Sequence, residues 1–115
     1  TNVLLEKNIG RSLHSIPGTN SISFISKKKP LWEIFSIDIS TLTINKIANL
    51  DGNYEDIAWI SKEVVLQAKK NQLLQFNIKT DSVWKELINK DSLQIQNISR
   101  ITISPDGTKM AIVGE

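Results

Sequence analysis

The chain has 115 residues, which is enough for one domain or part of one and too short for two domains that fold independently. Fourteen Lys and Arg residues against 12 Asp and Glu leave a net charge of +2, which excludes the strongly basic face that nucleic-acid binding usually requires. The absence of cysteine excludes disulfides, zinc–thiolate sites and cysteine nucleophiles, and no apolar stretch is long enough to span a bilayer.

Ten short strands are predicted from apolar runs bounded by turn residues. In chain order they cover residues 11–15, 21–26, 32–39, 43–48, 55–60, 64–69, 73–78, 82–88, 99–103 and 109–113. The chain is therefore expected to be all-β.

An internal repeat organises these strands. Three apolar residues recur at intervals of 44 residues, namely Leu13, Ile57 and Ile101. A loop and a second apolar run follow each of them, at residues 22–25, 64–66 and 110–113. Aligning these runs makes the middle loop two residues shorter than the first. It also predicts that Phe24, Leu66 and Ile112 occupy equivalent buried positions.

The third strand of the unit repeats as well. Residues 34–41 and 73–80 both alternate apolar and polar side chains, a pattern that indicates a strand with one buried side. In the first of these segments, the buried side is predicted to carry Phe35, Ile37 and Ile39. Ser36 and Asp38 are assigned to the polar side. A shorter fourth segment follows in each unit, at residues 43–48 and 82–88.

Four strands within about 44 residues are typical of one β-propeller blade. The second strand has apolar residues on both faces, as a sheet needs when it lies between two others. The predicted fold is thus a row of blades of four antiparallel strands, at 10–52 and 53–97, with half a blade at 98–115. Residues 1–9, with Val3-Leu4-Leu5, are expected to form the outer strand of a preceding blade.

A helical alternative exists for two segments. Residues 54–70 carry apolar residues at helical spacing behind a possible N-cap at Asn53, and residues 81–90 could form a short helix. Both segments align with repeat units that contain Pro17-Gly18 or Pro105-Asp106-Gly107, which a helix interior does not accept. The repeat therefore favours strands.

The ring is expected to be incomplete, at about two and a half blades, whereas propellers close with about four to eight. Bare sheet faces at both ends predict either a fragment of a larger propeller or association between copies, and we favour the fragment. The start at Thr1, without an initiator Met or a signal peptide, agrees with an excised piece. Glu115 is expected near the natural C-terminus, with N-terminal strands completing the closing blade.

Residues 103–113, with Ser104-Pro105-Asp106-Gly107 as a turn followed by an apolar run, resemble the repeat of TolB-type, WD-like β-propellers. The likeness is clearest there, weaker at Ile16-Pro17-Gly18-Thr19 and weakest around Ser61-Lys62-Glu63, where Pro and Gly are missing. The resemblance implies a bacterial periplasmic or envelope protein that serves as a docking surface. Related blades also form accessory domains of prolyl-oligopeptidase-like peptidases and of some amidohydrolases.

No residue is assigned to a catalytic, cofactor or metal site. His14 is the only histidine and cannot make a metal site alone, and no nucleophile elbow or phosphate loop is present. The basic run Lys27-Lys28-Lys29-Pro30 is interpreted as a solvated hairpin tip, with contact to an acidic partner as the alternative. Trp32, Trp59 and Trp84 are interpreted as packing between blades rather than as sugar platforms.

Three functions are expected from the repeat and from the resemblance. The first is a non-catalytic scaffold for protein–protein interaction, with no cofactor, no membrane insertion and an unidentified protein partner. Its binding face would be the loops around a central channel. The alternatives are an accessory propeller of a larger hydrolase and a carbohydrate-binding propeller.

Overall fold

The computed structural model describes residues 9–10, 12–28, 30–88 and 96–115, without the side chain of Ile88. These residues contain ten strands and no helix. The strands are β1 (His14–Ser15), β2 (Ser21–Ser26), β3 (Glu33–Asp38), β4 (Ile44–Asn49), β5 (Ile57–Trp59), β6 (Val64–Lys69), β7 (Gln72–Asn77), β8 (Lys85–Ile88), β9 (Ile98–Ile103) and β10 (Met110–Gly114). The all-β prediction is confirmed, and the helix considered over 54–70 is replaced by β5 and β6. The strand expected at Val3-Leu4-Leu5 lies outside the described residues.

The strands form three antiparallel sheets in chain order. The first sheet is β1-β2-β3-β4, the second is β5-β6-β7-β8, and the third pairs β9 with β10. Within each sheet, every strand pairs with the next strand along the chain, so short turns suffice as connections there. The first strand of the first sheet is shorter than the 11–15 predicted, and the fourth strand of the second sheet starts at Lys85 rather than at 82.

The repeat is visible in the register of the first two sheets. In both, the pairing of the third strand with the fourth is interrupted by a bulge, between Ile34 and Phe35 in one sheet and between Leu73 and Leu74 in the other. Ile47 is the extra residue of the first bulge and Leu87 that of the second, since their neighbours on both sides are paired. Bulges at equivalent positions show that the two sheets are built on one plan.

The predicted alignment of the middle unit is wrong by one residue. His14 pairs with Ser23 in the first sheet, whereas Ala58, its equivalent 44 residues later, pairs with Leu66. The hairpin loop of the middle unit is therefore one residue shorter, not two. It follows that the residue equivalent to Phe24 and Ile112 is Gln67 rather than Leu66.

Two of the three hairpin turns between the first and second strands contain a glycine with positive φ. Gly18, at φ 71°, is the third residue of a turn in which the Thr19 N–H donates to the Ile16 carbonyl at 3.2 Å. Gly107, at φ 75°, is the last residue of the turn that its N–H closes on the Ser104 carbonyl at 2.8 Å. Both positions have the positive φ that glycine adopts without strain.

Asp106 holds the turn of the third unit together. Its carboxylate accepts hydrogen bonds from the Ser104 hydroxyl and from the N–H and hydroxyl of Thr108. These donors, the Ser104 hydroxyl first, lower the pKa of Asp106 to about 2. The Ser-Pro-Asp-Gly sequence is thus explained locally, by the charge-assisted hydrogen bonds that close this hairpin.

Two layers of apolar side chains lie between the three sheets, one at each interface. The layer between the first and second sheets contains Ile25 and Ile34 on one side and Ile57, Val65 and Phe76 on the other. The layer between the second and third sheets has six buried members: Ala58, Leu66, Ala68, Leu73, Ile98 and Ile101. Val65 and Leu66, neighbours on β6, are both fully buried, so the second sheet is covered on both faces.

The buried side predicted for β3 is the less covered one. Ile34 is fully buried and faces the second sheet together with Ser36, whereas Phe35 and Ile37 are half-buried and Ile39 is 53 % exposed. Alternation in the sequence distinguishes two faces but does not say which face has a neighbouring sheet. The apolar side of β3 points away from the second sheet, where the described residues place no further sheet.

Candidate binding cleft

The first strands of the three sheets meet at a cleft of about 290 Å³. Its walls come from equivalent places in the repeat: Ser12, Leu13 and His14 from the first unit, Asp56 and Ile57 from the second, and Arg100 and Ile101 from the third. Ser12, Asp56 and Arg100 are spaced by 44 residues, like the apolar residues that follow them. One position of the repeat thus supplies a hydroxyl, a carboxylate and a guanidinium to the same cleft.

The charges in this cleft are partly paired. The Arg100 Nη1 lies 3.1 Å from the Asp56 Oδ1, and this contact joins the second sheet to the third. The Arg100 side chain is 57 % exposed while that of Asp56 is 17 % exposed, so the cation faces solvent more than its partner does. Burial lowers the pKa of the His14 imidazole, and the negative charge of Asp56 opposes that shift. His14 is therefore neutral near pH 7, with a donor and an acceptor nitrogen available.

The cleft continues along the same strands towards the hairpin turns. A second cavity, of about 180 Å³, is lined by His14 again, by Ala58 and Trp59, and by residues 101–105. His14, Ala58 and Thr102 are again spaced by 44 residues. The three first strands therefore present a row of equivalent side chains from Arg100 towards Pro17 and Pro105.

The three tryptophans all contact the layer between the first and second sheets. Trp59 is 5 % exposed, and its Nε1 donates to the Ser23 hydroxyl at 2.8 Å across the two sheets. The Trp84 Nε1 donates to the Asn49 carbonyl at 2.8 Å, and its ring lies 5.2 Å from that of Phe76. This packing agrees with the role predicted from the sequence, although Trp84 also lines an outer cleft of about 540 Å³ between β4 and residues 81–84, which precede β8.

The basic run is not uniformly solvated. The Lys27 Nζ lies 2.6 Å from the Glu55 Oε2 and 4.7 Å from the centre of the Trp32 ring. Lys28 and Pro30 are exposed, and Lys29 lies outside the described residues. Lys28 is exposed between β2 and β3, whereas Lys27 contacts the loop that leads into the second sheet.

The sequence analysis assigned no site residue, and it gave His14 no metal-binding role. The cleft contains two polar residues that the sequence analysis did not single out, Asp56 and Arg100. Each occupies the repeat position directly before an apolar residue. The signal was available, because applying the 44-residue interval one position before Leu13 gives Ser12, Asp56 and Arg100. Their ion pair depends on the contact between sheets, which no local pattern encodes.

Comparisons with known proteins do not assign the chain to a family. Neither the protein-family models nor the curated proteins contain a match to this chain. In the part of the chain that the structure describes, no three His, Asp or Glu residues are grouped so that they could hold a metal ion. Among the same residues, no helix is long and apolar enough to cross a lipid bilayer.

Proposed function

We propose that the chain is a section of a β-propeller that acts as a non-catalytic scaffold and binds a protein segment in the cleft between its first strands. The blade assignment is supported by the 44-residue period, by two four-stranded antiparallel sheets of matching register, and by the packing of each sheet on the next. The likeness of residues 103–113 to TolB-type repeats supports the same assignment and is the sole support for a place in the bacterial envelope.

One observation carries the binding proposal: three equivalent repeat positions direct Ser12, Asp56 and Arg100 into a single cleft. The neutral imidazole of His14 and the exposed face of Arg100 offer hydrogen-bond donors, while Leu13 and Ile57 offer apolar surface. A few polar groups on an apolar wall suit an extended peptide, whose backbone carbonyls and side chains need both.

The experiment is a peptide-display selection against the chain, followed by affinity measurements on the enriched peptides. Ser12→Trp fills the cleft and is expected to weaken binding at least about tenfold, or roughly 1.4 kcal/mol. Ser82→Trp places the same bulk in the outer cleft and is the matched control, with binding unchanged. Enrichment of no peptide, or equal affinity in both variants, would contradict the proposal.

A second candidate function rests on Trp84 alone. This partly buried ring lines the 540 Å³ outer cleft together with Asn49, Asp81 and Ser82, and an aromatic face beside hydrogen-bonding groups is suited to a sugar ring. Trp59, by contrast, is buried and bonded to Ser23, so it cannot stack on a sugar. A glycan array tests this candidate: Trp84→Leu should abolish any signal that Trp32→Leu retains.

A further inference from the structure

The outer cleft, which Trp84 lines, contains charged side chains of one sign. Its two walls are residues 47–51 on one side and Phe76, Ile78 and residues 81–84 on the other. Among the described residues that line it, the charged ones are Asp51 and Asp81, one from each wall, and no Lys, Arg or His is present. A ligand in this cleft therefore meets two carboxylates and an aromatic ring.

Hydrogen bonds to the backbone fix the wall that carries Asp51. The Asn49 carbonyl accepts from the Trp84 Nε1 at 2.8 Å. The N–H and the carbonyl of Asp51 both bond to the Gln67 amide, at 3.0 and 3.2 Å. The Asp51 Oδ1 contacts the Lys69 Nζ at 3.1 Å, while its Oδ2 has no hydrogen bond to the residues that the structure describes. This wall thus presents a carboxylate oxygen to a ligand at a position that the backbone sets.

Asp81 closes the turn that forms the opposite wall. Its N–H donates to the Asn77 carbonyl, and its Oδ2 accepts from the Asn77 N–H, both at 2.9 Å. Its Oδ1 contacts the Lys85 Nζ at 3.1 Å, and the Lys85 side chain is 62 % exposed and does not line the cleft. The Asn77 N–H, and after it Lys85, lower the pKa of Asp81, so this carboxylate is ionised in mildly acidic solution as well as at neutral pH.

The ring of Trp84 also favours a cation. An ammonium group near the face of a tryptophan ring is attracted by the negative potential of that face. The Phe76 ring, 5.2 Å away and tilted by 33°, helps to hold the Trp84 ring in place. An anion, by contrast, is repelled by both carboxylates and finds no cationic side chain in the described lining to replace its hydration.

We propose that the outer cleft binds an oligosaccharide whose rings carry free amines, in preference to neutral or acidic sugars. This inference rests on the second candidate function, the binding of a sugar at Trp84, and adds the charge of the ligand. The protonated amine pairs with the carboxylates of the cleft, while the sugar ring lies against Trp84. A volume of about 540 Å³ is that of a small-ligand site and exceeds what one lysine side chain fills, which favours a sugar over a basic peptide.

The experiment compares two oligomers of equal length by isothermal titration calorimetry, one of glucosamine and one of N-acetylglucosamine. The buffer is mildly acidic and low in salt, so that the sugar amines are protonated, and the probes differ only in the acetyl group that removes this charge. The glucosamine oligomer is expected to bind at least about tenfold more tightly. The difference should shrink as salt is added, because exposed charges are screened. An oligomer of galacturonic acid should not bind.

Asp51→Asn tests the source of the preference. Asp51 bonds to Gln67 through its backbone, so asparagine retains these bonds while removing the charge. The glucosamine oligomer should lose about fivefold in affinity, the value of one exposed ion pair, and the N-acetylglucosamine oligomer should lose none. Glu33→Gln is the matched control, because Glu33 is also paired with a lysine, Lys46, at 2.6 Å but lines a different cavity. That variant should retain the full preference.

The outcomes separate this inference from the function on which it rests. If neither oligomer binds, sugar binding at Trp84 is refuted and the inference with it. Equal affinity for the two oligomers overturns the charge preference alone and leaves the sugar site standing. A preference that Asp51→Asn leaves unchanged, in a variant whose thermal melting matches the wild type, also overturns the inference. A lysine trimer that binds as tightly as the glucosamine oligomer would show that the amine is recognised without a sugar, and overturns the oligosaccharide as the ligand.

Discussion

Replacing Gln67 by leucine tests the corrected alignment directly. Gln67 is fully buried, and its equivalents in the other two units are Phe24 and Ile112. If the position were simply part of an apolar layer, leucine would be neutral or stabilising there. The structure predicts the opposite, because the Gln67 amide has three partners in the loop that joins the first two sheets.

The magnitude follows from those contacts. The Gln67 Oε1 accepts from the Asp51 N–H at 3.0 Å, and the Nε2 donates to the carbonyls of Asp51 and Tyr54 at 3.2 and 3.0 Å. Three hydrogen bonds at a net value of about 1 kcal/mol each amount to roughly 3 kcal/mol. The added apolar burial of leucine returns roughly 1–2 kcal/mol. Gln67→Leu should therefore lower the free energy of unfolding by about 1–2 kcal/mol.

Urea denaturation followed by tryptophan fluorescence measures this change, with an expected fall of roughly 1 M in the midpoint. Gln75→Leu is the matched control, since Gln75 lies on the next strand, is half-buried and makes no side-chain hydrogen bond to the residues that the structure describes. That variant should be as stable as the wild type or more so. An equal midpoint for Gln67→Leu and the wild type would show that the amide contacts contribute nothing and that the loop is held by other means.

Three further predictions concern the core, the cleft and catalysis. Leu66→Ala should cost about 2–5 kcal/mol of unfolding free energy, and Ser36→Ala far less, because the serine loses only a hydroxyl; equal denaturation midpoints for the two would show that the buried Leu66 side chain contributes no packing energy. Because the pKa of His14 is lowered by folding, the unfolded chain binds more protons just below pH 6.5, so stability should fall as the pH drops through that value towards the folded pKa. His14→Gln should show a smaller fall in the same urea titrations, and parallel curves would contradict this reasoning. The purified chain should not hydrolyse ester, peptide or phosphoester substrates, and turnover that disappears with His14→Ala would refute that prediction.

Much of the fold could be predicted because strand periodicity and a repeat are properties of the sequence. The turn residues and apolar runs located all ten strands of the described residues within a few residues, and the repeat correctly outweighed the helical pattern over 54–70. The alignment failed at Gln67 because Val64, Val65 and Leu66 are all apolar, so a shift of one residue leaves the pattern unchanged. A glutamine in a buried layer is recognisable only once its partners in the distant loop are known.

The candidate cleft was less accessible to sequence reasoning. Spacing could have grouped Ser12, Asp56 and Arg100, but the ion pair between the last two depends on how neighbouring sheets pack. The same limit applies to the faces of β3, where alternation separated Phe35 from Ser36 without indicating which side meets another sheet. Contacts between sheets join residues far apart in the chain, and local patterns carry no information about them.

The matching bulges bear on solubility. β4 and β8 each form the outer edge of a sheet, and an open edge is a template on which other chains can add strands and form aggregates. The extra residues Ile47 and Leu87 interrupt the regular ladder at both edges, and Lys46 and Lys85 add charge beside them. Deleting Ile47 would remove the bulge from β4 and make this sheet edge a better template for fibrils. The bulges that recur in both sheets therefore also hinder the addition of strands from other chains at these edges.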